Sequence, residues 1–395
     1  MITELTLFGS LGVVVYVYIG YPLILWVLGR LGGKKTAQKR FTPTLSLIIA
    51  VHNEEEVISD KLENSLKLEY PHGNLEIIVV SDGSTDHTEE IVKRYESRGI
   101  RLYRLARCGK MRALEHAVAQ AKGEILAFTD ANTWISPNSL CDLAGHFADK
   151  RVGGVCGRKR IGREVDGEFT GLGEGIYWKY DQLLKRWESR LGKTIAADGA
   201  LYAIRRELFK RPEDPAQADD IAISIRVPMQ GRHLLFETDA VAWEAPPGSA
   251  EGEFWRKVRV ANHASRSFWN FRKALNPLRT GFYAVEIWSH KLLRYFVPFP
   301  LAAAFFANCL LLGGGWLFSL LFIGQALFYF LALAGAVLRH TRAGQFSFLH
   351  APFYFCMAHT AALLGVFSAM FGTRIVTWKQ ARTTTGLGVS SKEFV

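Results

Sequence analysis

Three long stretches of the chain contain no Asp, Glu, Lys or Arg and are mostly apolar. They cover residues 5–29, 295–338 and 343–373. A helix that crosses a bilayer needs about 20 apolar residues. The first stretch therefore predicts one membrane anchor. The second is long enough for two spans, which we divide at Gly313-Gly314-Gly315.

Between residue 44 and about residue 245 the pattern changes to short apolar runs that alternate with more polar, amphipathic segments. Four runs predict strands, at Leu45–Val51, Leu75–Val80, Ile100–Leu105 and Glu124–Phe128. Three intervening segments predict helices, at Glu55–Leu68, 87–97 and Lys110–Ala121. Strands that alternate with helices indicate an α/β domain with a mostly parallel sheet, whose ligands bind at the carboxyl ends of the strands.

The composition supports a globular domain joined to membrane segments. Of 395 residues, 49% are hydrophobic and 22% are charged, and the net charge is +11. The cysteines have no metal-ligand spacing, so we expect free thiols in a reducing compartment, packed as small apolar side chains. They are Cys108, Cys141, Cys156, Cys309 and Cys356.

A basic segment follows the first apolar stretch and predicts its orientation. It contains Arg30, Lys34, Lys35, Lys39 and Arg40. Cytoplasmic loops are enriched in such residues, so this segment and the α/β domain after it are expected in the cytoplasm. The stretch lacks a basic leader and a clear cleavage site, which favours an uncleaved anchor over a signal peptide. We therefore expect a multi-pass protein of the cell inner membrane.

The predicted strand Glu124–Phe128 leads into an acidic residue, Asp130, followed two positions later by Asn132. An extended backbone would point these two side chains the same way. Two hard oxygen ligands at the end of a strand suit Mg²⁺ or Mn²⁺ holding a diphosphate. A turn with an Asx cap would use the same residue types without a metal.

Four further polar segments occur in a fixed order around this one. They are Ala50-Val51-His52-Asn53-Glu54-Glu55, Ser81-Asp82-Gly83-Ser84-Thr85-Asp86, Gly109-Lys110-Met111-Arg112-Ala113-Leu114 and Ala218-Asp219-Asp220-Ile221. Together the five segments resemble those of inverting family 2 glycosyltransferases with a GT-A fold. More narrowly, they resemble the membrane-embedded, processive branch that includes cellulose, hyaluronan, chitin and poly-N-acetylglucosamine synthases. The resemblance runs from Leu45 to Arg266, and more loosely to Arg382.

The resemblance implies a donor site for a nucleotide sugar, expected to be a UDP-sugar. Val51, Asn53 and Glu54 match the strand end that lines the nucleotide pocket, and Asp82 matches a contact to the base. Lys110 matches a helix start that faces the nucleotide, where a helix N-terminus and a cation both favour an anion. A glycine turn with a helix cap, and a solvated basic helix face, are the structural alternatives.

The metal site departs from the family, whose pattern is Asp-x-Asp. Here Asn132 stands in the last place. Asparagine still offers an oxygen but no charge, so metal coordination could shift to Asp130 and phosphate. Mg²⁺ or Mn²⁺ is expected on the resemblance.

The catalytic base is expected where the family has Thr-Glu-Asp. Inverting transfer is a single displacement at the anomeric carbon and needs a carboxylate to take the acceptor's proton. By the resemblance Asp220 is that base and Asp219 the acid before it, while Asp198 and Gly199 lie near the acceptor sugar. A helix N-terminus rich in acids would give the same Asp-Asp pair.

A weaker match follows, where processive members carry Gln-x-x-Arg-Trp. Arg259 matches the arginine, which can clamp a leaving diphosphate, and Arg256 replaces the glutamine beside the nucleotide sugar. Val260 replaces the tryptophan that stacks on the acceptor. Trp255 or Trp269 could supply that aromatic surface instead. The change puts processivity in question more than transfer.

The last apolar stretch raises a question of topology. If residues 350–372 cross the membrane, the basic tail after them lies outside, against the charge rule. If they lie along the interface, the tail is cytoplasmic, and Trp378 and Arg382 resemble the gating segments of cellulose and hyaluronan synthases. We predict the interfacial placement; a true span is the alternative.

These inferences predict five regions in order. They are an anchor at 1–30, a cytoplasmic GT-A domain at 41–250, amphipathic interfacial helices at 251–290, a membrane region at 291–373 and a basic tail at 374–395. The expected partners are a nucleotide sugar, a glycan or lipid-linked acceptor, and the membrane. Accessory membrane subunits would be consistent with this interpretation, and nucleic acid is not expected as a partner.

The function that the resemblance implies is transfer of a sugar, with inversion, to a growing polysaccharide. Two alternatives remain. One is a single-transfer enzyme acting on a polyprenyl-phosphate-linked acceptor. The other is an inactive membrane scaffold of a polysaccharide assembly complex, for which Asn132 and Val260 argue mildly.

Overall fold

A computed structural model describes six segments of the chain, residues 1–32, 41–162, 169–211, 217–245, 249–341 and 343–373. They form two compact units. The sheet unit contains residues 41–162, 185–211 and 217–245, and the helical unit contains the remaining described residues. Residues 169–184, which fall inside the predicted domain 41–250, cluster with the helical unit.

The described residues form eight strands and sixteen α-helices, numbered along the chain. The strands are β1 Leu45–Val51, β2 Leu75–Asp82, β3 Ile100–Leu105, β4 Ile125–Asp130, β5 Thr133–Ile135, β6 Val152–Ile161, β7 Tyr202–Arg205 and β8 His233–Glu244. The first eight helices are α1 Ile2–Val15, α2 Tyr21–Leu31, α3 Ile58–Leu66, α4 Thr88–Lys93, α5 Lys110–Gln120, α6 Ser139–Gly145, α7 Phe169–Arg190 and α8 Asp219–Ser224. The others are α9 Arg226–Met229, α10 Ala250–Asn270, α11 Pro277–Thr280, α12 Phe282–Ile287, α13 Leu293–Phe296, α14 Pro298–Leu310, α15 Trp316–Leu338 and α16 Ser347–Met370.

All eight strands belong to one sheet, in the order β3-β2-β1-β4-β7-β6-β8-β5. The first four are parallel, as the alternating pattern predicted. Strand β7 runs antiparallel to both of its neighbours, and β5 runs antiparallel to β8. The second half of the sheet is therefore mixed, but β6 and β8 are parallel to each other, and six of the eight strands run in the same direction, so the sheet as a whole is mostly parallel, as predicted.

Strand β1 lies at the centre of the parallel half and is buried along its whole length. A strand covered on both faces has a continuous apolar sequence instead of an alternating one. Its Leu47 belongs to the core that includes α3, and Ile48 belongs to the core that includes α5. Ala50 pairs with Asp130 and Val51 with Ser81. The ends of β1, β2 and β4 therefore lie at one edge.

Among the residues that the structure describes, three helical segments are long and apolar enough to cross a membrane, Ile2–Leu31, Trp316–Leu338 and Ser347–Met370. The first agrees with the predicted anchor. The break at Gly313–Gly315 is also present, because α14 ends at Leu310 and α15 begins at Trp316.

The first of the two spans predicted in the second apolar stretch has a different form. Helix α14 has only 13 residues and is bent by 53° from the helical segment Phe282–Phe296 before it. Pro298 begins α14. A proline ring lacks the amide hydrogen and clashes with the preceding turn, which explains a sharp bend. A bent pair of this kind is typical of a broken span or a re-entrant loop, and it begins earlier in the chain than the span we predicted.

Close packing and buried charge hold the helical unit together. A side chain at Gly365 of α16 would lie 2.4 Å from the Val258 carbonyl oxygen of α10, so the two backbones need a glycine there. The Asp181 carboxylate of α7 is buried 3.0 Å from His290 Nε2, with Arg294 3.6 Å away. Buried carboxylates are stable only when they are paired in this way.

Candidate active site

Asp82, at the end of β2, holds the loop that leads into α5. Its side chain is fully buried, and its Oδ1 accepts hydrogen bonds from the backbone N–H groups of Cys108 (2.7 Å) and Gly109 (2.8 Å). Its Oδ2 lies 3.1 Å from an Arg107 guanidinium nitrogen. The carboxylate is thus used within the protein to place the start of α5. Its predicted contact with a nucleotide base stays a prediction.

The residues after β1 join the ends of two neighbouring strands. Asn53 adopts a left-handed conformation with φ of 54°, which asparagine tolerates better than most residues. Its Oδ1 accepts the Thr85 N–H at 2.8 Å, and the Glu54 N–H donates to Thr88 Oγ1 at 2.8 Å. Val51 is buried in the core. The three lie at the predicted edge, while their role in nucleotide binding stays a prediction.

Lys110 bridges two of the predicted acids. Its Nζ lies 2.9 Å from Asp130 Oδ1 and 2.9 Å from Asp219 Oδ2. Burial would lower the pKa of Lys110, but the charges of Asp130 and Asp219 raise it above its ordinary value. The ammonium therefore stays charged and joins α5, the end of β4 and the start of α8.

Two carboxylates converge over Gly199. The Gly199 N–H donates to Asp220 Oδ2 at 2.9 Å. A Cβ atom at this glycine would lie 3.2 Å from Asp130 Oδ2 and 3.6 Å from Asp220 Oδ2. Beside it, Asp198 Oδ1 accepts the Ala200 N–H at 3.2 Å. The predicted metal, acceptor and base positions thus meet in one place.

Asp220 is suited to accept a proton near neutral pH. Removal from water raises the pKa of Asp220 to about 7, and the charges of Asp219 and Asp198 add to that rise. The Ile221 N–H donates to its Oδ1 at 2.7 Å and opposes the shift. A general base works best when its pKa lies near the working pH.

Our sequence analysis missed Lys159 and Glu244. Lys159 Nζ lies 2.7 Å from Glu244 Oε1 and 3.6 Å from Asp198 Oδ1, and all three side chains are largely buried. Strand β6 carries the lysine and β8 ends at the glutamate. Each residue could have been noticed in the sequence as a charged residue in, or at the end of, a mostly apolar strand. That the two lie side by side follows only from the pairing of β6 with β8.

The backbone between Asp130 and Asn132 is not extended. Strand β4 ends at Asp130, and Ala131 and Asn132 form a turn before β5 begins. The expectation that strand geometry points the two side chains the same way is therefore wrong. Across the part of the chain that the structure describes, no group of three or more His, Cys, Asp or Glu side chains could hold a metal ion.

The other predicted residues lie elsewhere in the chain's structure. Trp255, Arg256 and Arg259 belong to α10 of the helical unit, where Arg256 Nε pairs with Glu253 at 2.7 Å and Trp255 is 56% exposed. Trp378 and Arg382 fall outside the described residues. The diphosphate clamp, the aromatic platform and the gate stay predictions.

Comparison with solved structures identifies the fold class. The mannosyltransferase PcManGT from Pyrobaculum calidifontis, solved with GDP-Man and Mn²⁺, matches 90% of this chain and 97% of its own, with a TM-score of 0.65 and 25% identity. The sheet unit therefore has the GT-A-like glycosyltransferase fold, as predicted, and apolar helices that could span a membrane lie at both ends of the chain.

The family follows from the sequence of the same unit. Residues 46–211 match the family described as Glycosyl transferase family 2, a range that begins in β1 and ends after β7. This segment therefore matches a family 2 glycosyltransferase domain, in agreement with the family 2 resemblance of its motifs.

Several curated proteins share this region. A probable glycosyltransferase, YdaM of Bacillus subtilis, is 30% identical over 54% of this chain and 53% of its own length. Poly-beta-1,6-N-acetyl-D-glucosamine synthase of Staphylococcus epidermidis is 26% identical over 63% of this chain and 66% of its own length. Beta-monoglucosyldiacylglycerol synthase of a Nostoc species is 33% identical over 42% of this chain and 36% of its own length. This chain thus spans less than two thirds of these relatives.

Proposed function

We propose that this protein is a membrane glycosyltransferase that moves a sugar, with inversion, from a nucleotide sugar to a hydroxyl group of a growing polysaccharide. The observation that carries the proposal is the convergence of Asp130 and Asp220 over Gly199, inside a family 2 domain. The poly-N-acetylglucosamine synthases among its relatives support a polysaccharide product. The three candidate spans support a membrane location, which we take to be the inner membrane with the catalytic domain in the cytoplasm.

The donor diphosphate is expected at the start of α5. Lys110 supplies a positive charge there, and the α5 N-terminus adds a partial positive charge. We propose a UDP-sugar as the donor, on the family resemblance. PcManGT was solved with GDP-Man, so guanosine donors belong in the same test.

A divalent cation, Mg²⁺ or Mn²⁺, fits the oxygen-rich turn after β4. Asp130 offers a carboxylate and Asn132 an amide oxygen, both hard ligands. Metals in such sites take one or two protein carboxylates and complete their shell with substrate phosphates. The small number of protein ligands is consistent with that arrangement. When bound, the cation would supply positive charge to the diphosphate.

The proposed reaction is a single displacement. Asp220 takes the proton of the acceptor hydroxyl while the hydroxyl oxygen forms a bond to the anomeric carbon. The bond from that carbon to the diphosphate oxygen breaks, and the nucleoside diphosphate leaves with the electron pair. Lys110 stabilises the charge that develops on it, and Asp219 holds Lys110 in place.

The test uses the full-length protein in detergent and a panel of UDP- and GDP-sugars. Release of nucleoside diphosphate identifies the donor, and the anomeric configuration of the product tests inversion. Asp220→Asn should keep nucleotide binding and lower transfer by about 10²–10⁴-fold, the usual value of general-base assistance. Asp239→Asn, at an exposed position, is the matched control. Near wild-type transfer by Asp220→Asn would move the role to Asp219, and no turnover with any donor would contradict the proposal.

A second candidate is a single transfer to a lipid-linked acceptor. The glucosyldiacylglycerol synthase among the relatives favours it, as does Val260 in place of the acceptor-stacking tryptophan. The same assay separates the two, because a polysaccharide synthase gives a ladder of products and a single-transfer enzyme gives one. The inactive scaffold is disfavoured by the paired Lys110 and the raised pKa of Asp220.

A further inference from the structure

Lys61 lies on α3, buried beneath the turn that joins β4 to β5. Only 1% of the residue is exposed. Its Nζ donates to Thr129 Oγ1 at 3.0 Å and to the Thr133 carbonyl oxygen at 2.5 Å. In the chain these two acceptors stand on either side of Asp130 and Asn132. One ammonium group therefore closes the base of the turn that carries both proposed metal ligands.

We propose that Lys61 is a positioning residue that holds the Asp130–Asn132 turn in the shape required to bind a divalent cation together with the donor diphosphate. This inference rests on the proposed function. Lys61 itself does not bind donor or metal, because it is buried. Its effect passes through the hydroxyl of Thr129 and the backbone of Thr133.

The hydrogen bonds continue from the turn to the acceptor side of the site. Thr129 Oγ1, which accepts from Lys61, donates to the Ala200 carbonyl oxygen at 2.8 Å. Ala200 follows Gly199, over which Asp130 and Asp220 converge. The contact of Lys61 with Thr129 therefore helps to fix the distance between β4 and the segment that carries Gly199.

A second side chain of α3 supports the same turn. Asn64 Nδ2 donates to the Ile135 carbonyl oxygen, and the Ile135 N–H donates to Asn64 Oδ1, both at 2.9 Å. Asn64 thus fixes the far end of β5, and Lys61 fixes its near end at Thr133. Helix α3 acts as a rigid support for the whole β4–β5 connection.

A lysine is a costly choice for this position. Burial lowers the pKa of Lys61 to about 7, although the charge of Asp130 acts to raise it. An apolar residue such as methionine would fill the space without burying a polar head group. Buried titratable groups with displaced pKa values occur often at functional sites. We therefore expect Lys61 to serve binding at the turn more than stability.

The experiment compares three full-length proteins in detergent: wild type, Lys61→Met and Ser65→Ala. Ser65 is the control because it lies one turn along α3, is buried, and donates its hydrogen bond within the helix, to the Lys61 carbonyl oxygen at 2.8 Å. The free Mn²⁺ signal in electron paramagnetic resonance, with UDP present, measures metal binding without turnover. Donor KM and kcat are measured in parallel.

Lys61→Met should weaken Mn²⁺ binding by about tenfold or more, the factor expected when a hydrogen bond to a charged group is lost. Donor KM should rise by a similar factor, and the melting temperature should not fall below that of Ser65→Ala. Wild-type Mn²⁺ affinity in a folded Lys61→Met protein would overturn the inference. A wild type that binds no Mn²⁺ with either UDP or GDP would also overturn the inference, whereas the absence of turnover with every donor would contradict the proposed function.

A second variant covers the case in which Lys61→Met does not fold. Thr129→Val keeps the side-chain volume and removes only the hydroxyl between Lys61 and Ala200. It should also weaken Mn²⁺ binding, and in the double variant the combined loss should be smaller than the sum of the two, because both changes remove the bond between Lys61 and Thr129. Thr129→Val with wild-type Mn²⁺ affinity, measured against Ser65→Ala, would also overturn the inference.

Discussion

Lys110 and Asp219 form an ion pair of 2.9 Å, although one residue begins α5 and the other begins α8. The same ammonium lies 2.9 Å from Asp130. One cation therefore connects the end of β4 to the segment that carries the proposed base. A change in the donor site at Lys110 is expected to move Asp219, and with it the neighbouring Asp220.

Gly199→Ala tests whether the space between the two carboxylates is required. The new methyl group would lie 3.2 Å from Asp130 Oδ2, closer than side chains normally approach. A displacement of about 1 Å in a catalytic group can cost about 10²-fold in rate, so we expect a loss of that order in kcat. Gly324→Ala is the control, because nothing lies within 4 Å of its new methyl group. Equal activity of the two variants would contradict the convergence.

The pH dependence of transfer tests Asp220 as the base. The base must be ionised, and its pKa is raised to about 7. We therefore expect kcat to fall about tenfold per pH unit below pH 7, whereas an aspartate of ordinary pKa, about 3.9, would give a flat profile there.

Asp219→Asn provides the internal comparison for that profile. It removes a negative charge that raises the pKa of Asp220. The acid limb of the profile should therefore move to lower pH, even if the maximal rate falls because Lys110 loses a partner. A limb that does not move would assign the titration to another group.

Asn132→Asp tests the departure from the family's metal motif. A second carboxylate at this turn should tighten Mn²⁺ or Mg²⁺ binding if the residue contacts the metal, since added charge strengthens binding of a hard cation. The concentration of metal that gives half-maximal activity measures the affinity for the metal. Asp130→Ala is the comparison variant, which we expect to lose metal-dependent activity altogether. The same half-maximal concentration in Asn132→Asp and wild type would place residue 132 outside the coordination shell.

Asp181→Ala tests the buried charge of the helical unit. The carboxylate is buried beside His290 and near Arg294, so its removal leaves these groups without that partner. Breaking a buried pair from one side typically costs about 3–5 kcal/mol. Thermal unfolding in detergent should show a large loss of stability, while Asp239→Ala, at an exposed position, should show almost none. A small effect at Asp181 would mean that water or other groups replace the carboxylate.

The placement of α16 is tested by labelling. We expect a cysteine at Ser390, in a cysteine-free background, to be protected from an impermeant thiol reagent in intact cells, because the basic tail is predicted to be cytoplasmic. A cysteine at Thr3, predicted outside, is the positive control. Labelling at position 390 would make α16 a true span, which its length and composition permit, and would end the gating hypothesis for Trp378 and Arg382.

The sequence predicted the local features well and the long-range ones poorly. Strands β1 and β3 have the predicted bounds, because each was predicted from residues that are neighbours in the chain. The short, antiparallel β7 could not be predicted, since its partners in β4 and β6 are distant in the chain.

Within the candidate site, the motifs predicted which acids lie together. They also predicted Lys110 in the donor site, but not that it lies between Asp130 and Asp219, because that depends on where α5 begins relative to β4. Lys61 was missed for a related reason. In an amphipathic helix a lysine is normally assigned to the solvent face, and only the packing of α3 on the sheet shows that it points inward.

The hydrogen bonds of Asp82 bear on attempts to change the donor preference of this protein. Because its carboxylate already holds the two backbone amides that precede Lys110, replacing it would disturb catalysis whatever base the donor carries. Nucleobase selectivity is therefore better re-engineered at side chains that leave this loop intact, such as Asn53 and its partner Thr85 on the neighbouring strand-end loops. A library that spares Asp82 should yield active variants with altered donor preference more often than one that randomises it.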